Sequence, residues 1–315
     1  MGQYVARRLL LMIPVLIGVS ILVFLLARIL PGDVFAAQSS SSGIDKATQD
    51  QLRKDAGLDR PLVVQYLDWA GHVLVGDFGE SLYNRQDVGG QIKGAAPVTL
   101  ELTLLATIIG LVVAIPAGVV SAITRGSAVD YLVRFAAVVG LSVPSYVLGT
   151  LAITYLALWF NWIPPSGYIS VFDSPWQNFQ QFVIPAVILG LGFAASIMRM
   201  TRSTVLGVLR EDYVRTARAK GLRARIIIIR HVLRTSLLPV MTLVGAQVGF
   251  LLGGSVIVES IFALNGLGSV AVSAIQNRDY IMIQAVTLLA AVVFTMLNLL
   301  VDLSYGWLDP RIRLQ

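Results

Sequence analysis

Cysteine is absent from this 315-residue sequence, and histidine occurs only at His72 and His231. Without cysteine there is no disulfide, thiolate metal site or cysteine nucleophile. The sequence also lacks a G-x-x-x-x-G-K-[ST] phosphate loop, an H-E-x-x-H zinc motif and a G-x-S-x-G nucleophile elbow. These absences argue against ATP hydrolysis, metalloprotease and serine hydrolase chemistry. We therefore predict a chain that is not an enzyme, with no catalytic residue, no metal site and no cofactor of its own.

Charge is also scarce. Charged residues make up 13% of the sequence and hydrophobic residues 56%, whereas an ordinary soluble domain is about 25% charged. Such a composition leaves too little polar surface for a soluble protein of this length and favours membrane-spanning segments. The net charge of +6 does not indicate nucleic-acid binding, because the basic residues cluster between apolar segments.

Six apolar runs are long enough to cross a bilayer, which takes about 20 residues. They cover residues 9–30, 99–123, 132–160, 180–198, 239–259 and 282–304. The first run is longer than the apolar core of a signal peptide and ends in Arg28-Ile29-Leu30-Pro31 rather than in small residues. We interpret it as a retained transmembrane helix.

The basic residues of the connecting segments predict the orientation of the chain. Residues 199–234 carry ten basic and two acidic residues, whereas residues 161–182 carry no basic residue. Together with Arg7, Arg8 and the basic tail, this pattern places both termini in the cytoplasm. The sequence therefore predicts an all-α, multi-pass protein of a bacterial or archaeal cell membrane.

The predicted organisation has four parts. They are an N-terminal transmembrane helix (1–30), an extracytoplasmic loop domain (31–96), a core domain (97–306) that includes the cytoplasmic loop 199–238, and a cytoplasmic tail (307–315). In the loop domain, the Ser-rich residues 39–43 are expected to be mobile, and an apolar stripe at helical spacing begins at Leu58. A short amphipathic helix is predicted within residues 266–281.

Ionisable residues in or near the predicted spans all lie close to span ends, at Arg28, Glu101, Arg134, Glu259 and Asp302. We expect them to reach the interface or to pair locally, which argues against a proton relay through the membrane. Proline and glycine at Gly110, Pro116, Gly118, Gly140, Pro144 and Gly149 indicate either kinks or close helix packing, and we favour packing. Gly245, Gly249 and Gly253 predict one close helix–helix face, a candidate dimer seam.

The cytoplasmic loop carries the most informative segment, residues 211–225. Glu211 and Asp212 suit the first turn of a short helix, and Gly221 suits its end. Val214, Ala217 and Leu222 are expected to form a narrow apolar face flanked by basic residues. Such a helix is shaped either to enter a groove on a partner protein or to lie on anionic lipid, and the residues alone do not decide between the two.

This loop resembles the signature loop of ABC importer permeases, and more closely that of their dipeptide/oligopeptide/nickel branch. The family form is E-A-A, three residues, then G, and the matching positions are Arg215, Thr216, Ala217 and Gly221. Arg215 replaces the glutamate and Thr216 the first alanine, while the proline that follows comes late, at Pro239. These departures shift the resemblance toward the branch.

The resemblance runs along nearly the whole chain. It includes Pro31-Gly32-Asp33, Gly57-Leu58-Asp59-Arg60-Pro61, Gly76-Asp77-Phe78-Gly79, Thr99-Leu100-Glu101-Leu102, Asn277-Arg278-Asp279-Tyr280 and Asp309-Pro310-Arg311. Each piece alone is weak, but their order and spacing together are specific. The resemblance implies the type I ABC importer transmembrane fold, with six transmembrane helices.

The resemblance also implies partners. They are a second, homologous permease, two ATPase subunits that bind ATP and magnesium, and an extracytoplasmic solute-binding protein that meets residues 45–95. The residues expected to couple this chain to an ATPase are Tyr213, Arg215, Thr216, Ala217, Arg218, Gly221 and Leu222. Ala217 and Gly221 are expected to make the closest contacts.

Peptides are the first expected cargo, and nickel, a metal chelate or glutathione the alternative. Outside the family, an ion-coupled secondary transporter or an intramembrane enzyme is the competing interpretation. The first is disfavoured by the few deep ionisable residues, and the second by the missing catalytic motifs.

Overall fold

The computed structural model describes residues 2–29, 59–81, 83–165 and 167–308. Regular structure in these ranges is helical, apart from an isolated antiparallel bridge between Glu80 and Asp87. The helices are α1 (Gly2–Ile29), α2 (Leu62–Leu74), α3 (Val88–Ile123), α4 (Ala128–Ser142), α5 (Ser145–Phe160), α6 (Pro175–Val208), α7 (Asp212–Ala219), α8 (Ala224–Ile226), α9 (Leu233–Ile261), α10 (Leu267–Gln276) and α11 (Tyr280–Leu308). A π-helical segment, Ile227–Val232, joins α8 to α9.

The apolar helices confirm the predicted all-α membrane fold. Helices α1, α3, α6 and α11 and the continuous run Ala224–Ile261 are long and apolar enough to span a membrane, and α4 with α5 supplies a sixth, broken span. The expectation of one uninterrupted span over residues 132–160 was wrong. The two helices meet at 90°, because Pro144 offers no N–H to continue α4 and holds Val143 in an extended conformation.

Helix α6 is the centre of its part of the chain. About two thirds of the residues in its most apolar stretch are buried, and the helix contacts α4, α5 and α9. Three apolar clusters follow it from one end to the other, around Phe182, Ile197 and Val205. Large apolar side chains on α1, α3, α4 and α5 instead remain exposed, as lipid-facing or partner-facing helices require.

Glycines bring the backbones of α3 and α6 together. A Cβ built on Gly110 would overlap the Phe193 ring and lie 2.9 Å from the Gly190 carbonyl oxygen, and one on Gly190 would lie 2.8 Å from the Ala106 carbonyl oxygen. Gly118 meets α6 one cluster further on, at Thr201. The packing interpretation is therefore confirmed for Gly110 and Gly118, whereas Pro144 marks a true break.

The described residues form two compact units. One contains the described residues of 98–268 and 296–308, and the other those of 2–29, 59–97 and 269–295. In the second unit, Phe24 of α1 packs against Tyr66 and Trp69 of α2, and Ser20 and Tyr66 share a hydrogen bond of 2.8 Å. Much of the predicted apolar stripe of α2 is nevertheless exposed, including Leu67.

Both short helices predicted outside the spans are present, at α2 and at α10. The turn after α2 uses Gly76 and Gly79, both with positive φ, and the Asp77 side chain accepts a hydrogen bond from the Gly79 N–H. The segment 31–58, including the Ser-rich residues 39–43, lies outside the described residues.

The glycine packing yields a matched pair of variants on α6. Gly190→Ala places a methyl group against the α3 backbone, which cannot move aside as a side chain can. We therefore expect the free energy of unfolding in detergent to fall by about 1–3 kcal/mol, which lowers the unfolding midpoint. Gly192→Ala meets nothing within 4 Å and should be neutral or slightly stabilising, since alanine is the better helix former. Equal effects of the two changes in a thermal-unfolding assay would contradict the packing described.

Candidate functional site

Helix α7 follows α6 as a short separate helix, as the acidic residues and Gly221 predicted. Its buried face consists of Val214 and Ala217. These two side chains complete an apolar cluster with Val205 of α6, Ala122 of α3 and the two ends of the π-helical segment. The short helix is therefore fixed to the ends of two long helices.

A Schellman motif ends α7. The Leu222 N–H donates to the Ala217 carbonyl oxygen at 3.3 Å, and the Gly221 N–H donates to the Arg218 carbonyl oxygen at 2.9 Å. Gly221 adopts φ +76°, the left-handed conformation that this motif demands. No atom lies within 4 Å of a Cβ added there, so backbone conformation rather than space accounts for the glycine.

The opposite face of α7 is polar and exposed. Arg215 and Asp212 form a surface ion pair at 3.4 Å, and Thr216, Arg218 and Ala219 are exposed beside them. Of the three residues expected on one apolar face, Val214 and Ala217 pack inside this chain, whereas Leu222 is exposed. Because Ala217 packs inside this chain, the surface that α7 offers to a partner is its polar face.

Two further features fix α7 to the start of α9. The Tyr213 hydroxyl donates to Thr235 Oγ1 at 3.3 Å. The π-helical segment turns Ile227 and Val232, five residues apart, into the same buried cluster, because i→i+5 hydrogen bonds bring such residues to one side. No pattern in the sequence predicted this π-helix.

A buried ion pair near the end of α3 was missed by the sequence reasoning. Asp130 at the start of α4 is 1% exposed, and Arg202 of α6 donates to it twice, Nε to Oδ1 at 2.8 Å and Nη2 to Oδ2 at 2.9 Å. Ser121 and the Gly126 N–H donate to the remaining lone pairs. The available signal was Ser127-x-x-Asp130, a capping-box pattern whose serine accepts from the Asp130 N–H.

Glu259 is fully buried rather than at an interface. Thr99 Oγ1 and Ser255 Oγ donate to its Oε1 at 2.8 and 2.9 Å, and the Leu267 N–H donates to Thr99 Oγ1. Its Oε2 occupies the space that a Cβ on Gly266 would need, at 2.5 Å. The carboxylate thus binds the segment between α9 and α10 to α3, the local pairing that was expected.

Glu101 holds the segment between α5 and α6. Asn178 Nδ2 donates to its Oε1 at 2.6 Å and the Tyr168 hydroxyl to its Oε2 at 3.1 Å. Burial, and then the hydrogen bond to Glu101, raise the pKa of Tyr168 above its ordinary value. Of the other ionisable residues singled out, Arg134 is exposed on α4; the side chains of Arg28 and Asp302 lie outside the described residues.

The glycines of α9 do not form one seam within the chain. A Cβ on Gly245 would lie 2.5 Å from Val301 of α11, so Gly245 serves packing inside the chain. Gly253 has open space around it and stays a predicted contact with a second subunit, together with Gly249. Across the residues that the structure describes, no group of three or more His, Asp or Glu side chains is placed to hold a metal ion.

Two family models match the chain. Residues 114–314 match "Binding-protein-dependent transport system inner membrane component", and residues 1–103 match "Binding-prot-dependent transport system membrane comp, N-term". Together the two matched ranges include α1 and α2 as well as α6 and α7.

Full-length relatives and a solved structure agree with these models. The oligopeptide transport system permease protein AppB of Bacillus subtilis (strain 168) is 38% identical, with 99% of each chain covered. The dipeptide transport system permease protein DppB of Escherichia coli (strain K12) is 39% identical, again with 99% of each covered. A chain of the inward-facing MetNI methionine ABC transporter shares the fold, with a TM-score of 0.56 at 18% identity over 70% of this chain and 96% of its own.

The Schellman motif predicts the behaviour of Gly221 variants. Gly221→Ala forces a Cβ into the left-handed region at a cost of about 1–2 kcal/mol, so we expect the Leu222 amide to exchange its hydrogen roughly five- to thirtyfold faster. Gly221→Asn should exchange at nearly the wild-type rate, since asparagine tolerates this conformation. Hydrogen-exchange mass spectrometry of residues 212–223 measures both exchange rates. Identical acceleration in the two variants would show that the left-handed conformation at Gly221 is not the reason for the glycine.

Proposed function

The chain belongs to the family of binding-protein-dependent transport system inner membrane components, and from that premise we propose that it is a channel-forming permease subunit of an ATP-driven peptide importer. It supplies transmembrane helices and a coupling loop, and it leaves ATP hydrolysis to partner subunits. The fold of an ABC importer transmembrane subunit and the missing phosphate loop support this division of labour.

The observation that carries the proposal is the placement of α7. Its apolar side is fixed among the ends of α3, α6 and the π-helical segment, while its polar side is exposed. A partner that pushes on the exposed side therefore displaces long helices rather than a free loop. Packed elements of this kind move between discrete arrangements, which is what coupling an ATPase to a transport pathway requires.

The proposed partners follow from this surface and from the family. The importer has two ATPase subunits, which bind ATP and magnesium, and one of them docks on the exposed face of α7 through Arg215, Thr216 and Arg218. A second, homologous permease completes the pathway, and Gly253 is an α9 position with room for a close contact with it. A solute-binding protein delivers cargo to the extracytoplasmic side, where α2 exposes apolar residues.

Peptides are the proposed cargo because relatives that match the chain from end to end are named for oligopeptide and dipeptide transport. Nickel, metal chelates and glutathione are the alternatives for the same family. An assay of the assembled transporter can separate these cargoes, because each is presented by its own loaded binding protein.

The first test is co-purification followed by ATPase measurement. In mild detergent, the chain should bring with it a second six-span permease and nucleotide-binding subunits. In vesicles, ATP hydrolysis by this complex should rise when peptide-loaded binding protein is added. Recovery of the chain without any ATPase would overturn the proposed function; stimulation by a nickel- or glutathione-loaded protein would overturn the cargo alone.

The same assay tests α7. Gly221→Arg, which adds a long charged side chain at the end of the exposed face, should leave the complex assembled but reduce stimulated hydrolysis to the basal rate. Gly221→Asn is the matched control and should keep most of the stimulation. Normal stimulation in Gly221→Arg would contradict the coupling role of this loop.

Orientation has its own test, which the lack of cysteine makes simple. A single cysteine at Phe172→Cys, between α5 and α6, should react with a membrane-impermeant maleimide in right-side-out vesicles. One at Arg223→Cys, after α7, should react only once the vesicles are permeabilised. Both native residues are exposed, so the opposite pattern would invert the proposed topology and place α7 where no ATPase can reach it.

A further inference from the structure

A basic cavity of about 520 Å³ opens beside the ends of α3, α4 and α6. Four arginines, one aspartate, one tyrosine and four small or apolar residues line it, namely Arg125, Gly126, Asp130, Tyr131, Arg134, Arg202, Ser203, Leu206, Gly207 and Arg210. Its volume is in the range of about 300–1,000 Å³ that is typical of small-molecule sites. The proposed importer function assigns no role to it.

The charges of the basic cavity do not balance. Asp130 is the one carboxylate that lines it, and all four of its acceptor positions are taken by Arg202, Ser121 and the Gly126 N–H. Within the part of the chain that the structure describes, Arg125, Arg134 and Arg210 have no ion pair with a carboxylate. Three positive charges therefore face one cavity.

Such a cavity suits an anion with several oxygens. Guanidinium groups match phosphate oxygens in paired hydrogen bonds, and a bound anion relieves the mutual repulsion of the arginines. Two contacts hold residues that line the cavity in place. The buried ion pair of Asp130 with Arg202 fixes α4 to α6, and the Arg134 guanidinium lies over the Tyr131 ring, 5.7 Å from its centre. These contacts hold the site open before a ligand arrives.

The apolar surroundings identify which phosphate compound fits. On α4, half of a broken membrane span, Leu132 and Phe135 each expose about two thirds of their surface next to the cavity residues. The exposed Tyr131 stands at the boundary, as aromatic residues do at membrane interfaces. We propose that the basic cavity binds the phosphate of an anionic phospholipid whose acyl chains lie along α4.

Binding itself does not depend on the importer function; the proposed orientation only adds that the lipid comes from the cytoplasmic leaflet, which carries such headgroups. Occupancy would connect the lipid composition to the ends of α3 and α6, the helices on which α7 rests. The basic cavity is therefore a place where the membrane can act on coupling.

Native mass spectrometry of the full-length chain tests the proposal, with phosphatidylglycerol as the probe and phosphatidylcholine as the neutral reference. The wild type should retain phosphatidylglycerol in preference. Arg125→Gln with Arg210→Gln should weaken this binding about tenfold or more, since each removes a charge-assisted hydrogen bond. Arg223→Gln with Arg225→Gln removes the same charge from exposed positions outside the cavity and is the control.

Several results would overturn the proposal. An equal loss in both double variants would mean diffuse surface attraction, and displacement of the lipid by millimolar glycerol 3-phosphate would mean a soluble phosphate site. A photoactivatable phosphatidylglycerol tests the unaltered wild type: adducts should map to residues 125–135 and 202–210, and adducts confined elsewhere would refute the site. These readouts use neither ATP nor peptide, so their failure is separate from failure of the importer function.

Discussion

The contact between the backbones of α3 and α6 is the constraint on which the rest of the described core depends. Gly110 and Gly190 bring main-chain atoms so close that no side chain can be inserted, and main-chain atoms cannot move aside as a flexible side chain can. The two helices therefore pack backbone to backbone along this contact. Helix α7 rests on the ends of this pair through Val214 and Ala217, so the short helix has a rigid support against which a partner can act.

The two carboxyl groups buried in this core, Asp130 and Glu259, are both hydrogen-bonded. Glu259 receives two hydroxyl donors, and Asp130 receives a bidentate arginine and two further donors. An unpaired charge in an apolar interior costs several kcal/mol or more, so each pair fixes the loop beside it in one arrangement. The residues serve architecture at helix ends, which accounts for ionisable groups in a membrane protein without invoking a proton relay.

The positions of the helices were predicted from the sequence more accurately than the residues that each helix buries. The six spans, the short helices α2, α7 and α10 and the glycine end of α7 follow from apolar length, helical spacing and turn chemistry. The right-angle break of the third span at Pro144 was missed, because the length of an apolar run carries no information about the direction of a helix. Leu222 was placed with Ala217, yet the Schellman turn carries it out of the helical period and into solvent.

The sequence by itself determined the class of the protein, its spans and the position of the short helix α7, because hydropathy, charge and the need for glycine at positive φ are properties of short stretches. Only the tertiary structure decided which side of α7 is free, which glycines pack inside the chain and which charges meet. Asp130 and Arg202 are far apart in sequence, and the π-helical segment turns Ile227 and Val232 inward. Such contacts depend on distances between helices, and no local pattern encodes those distances.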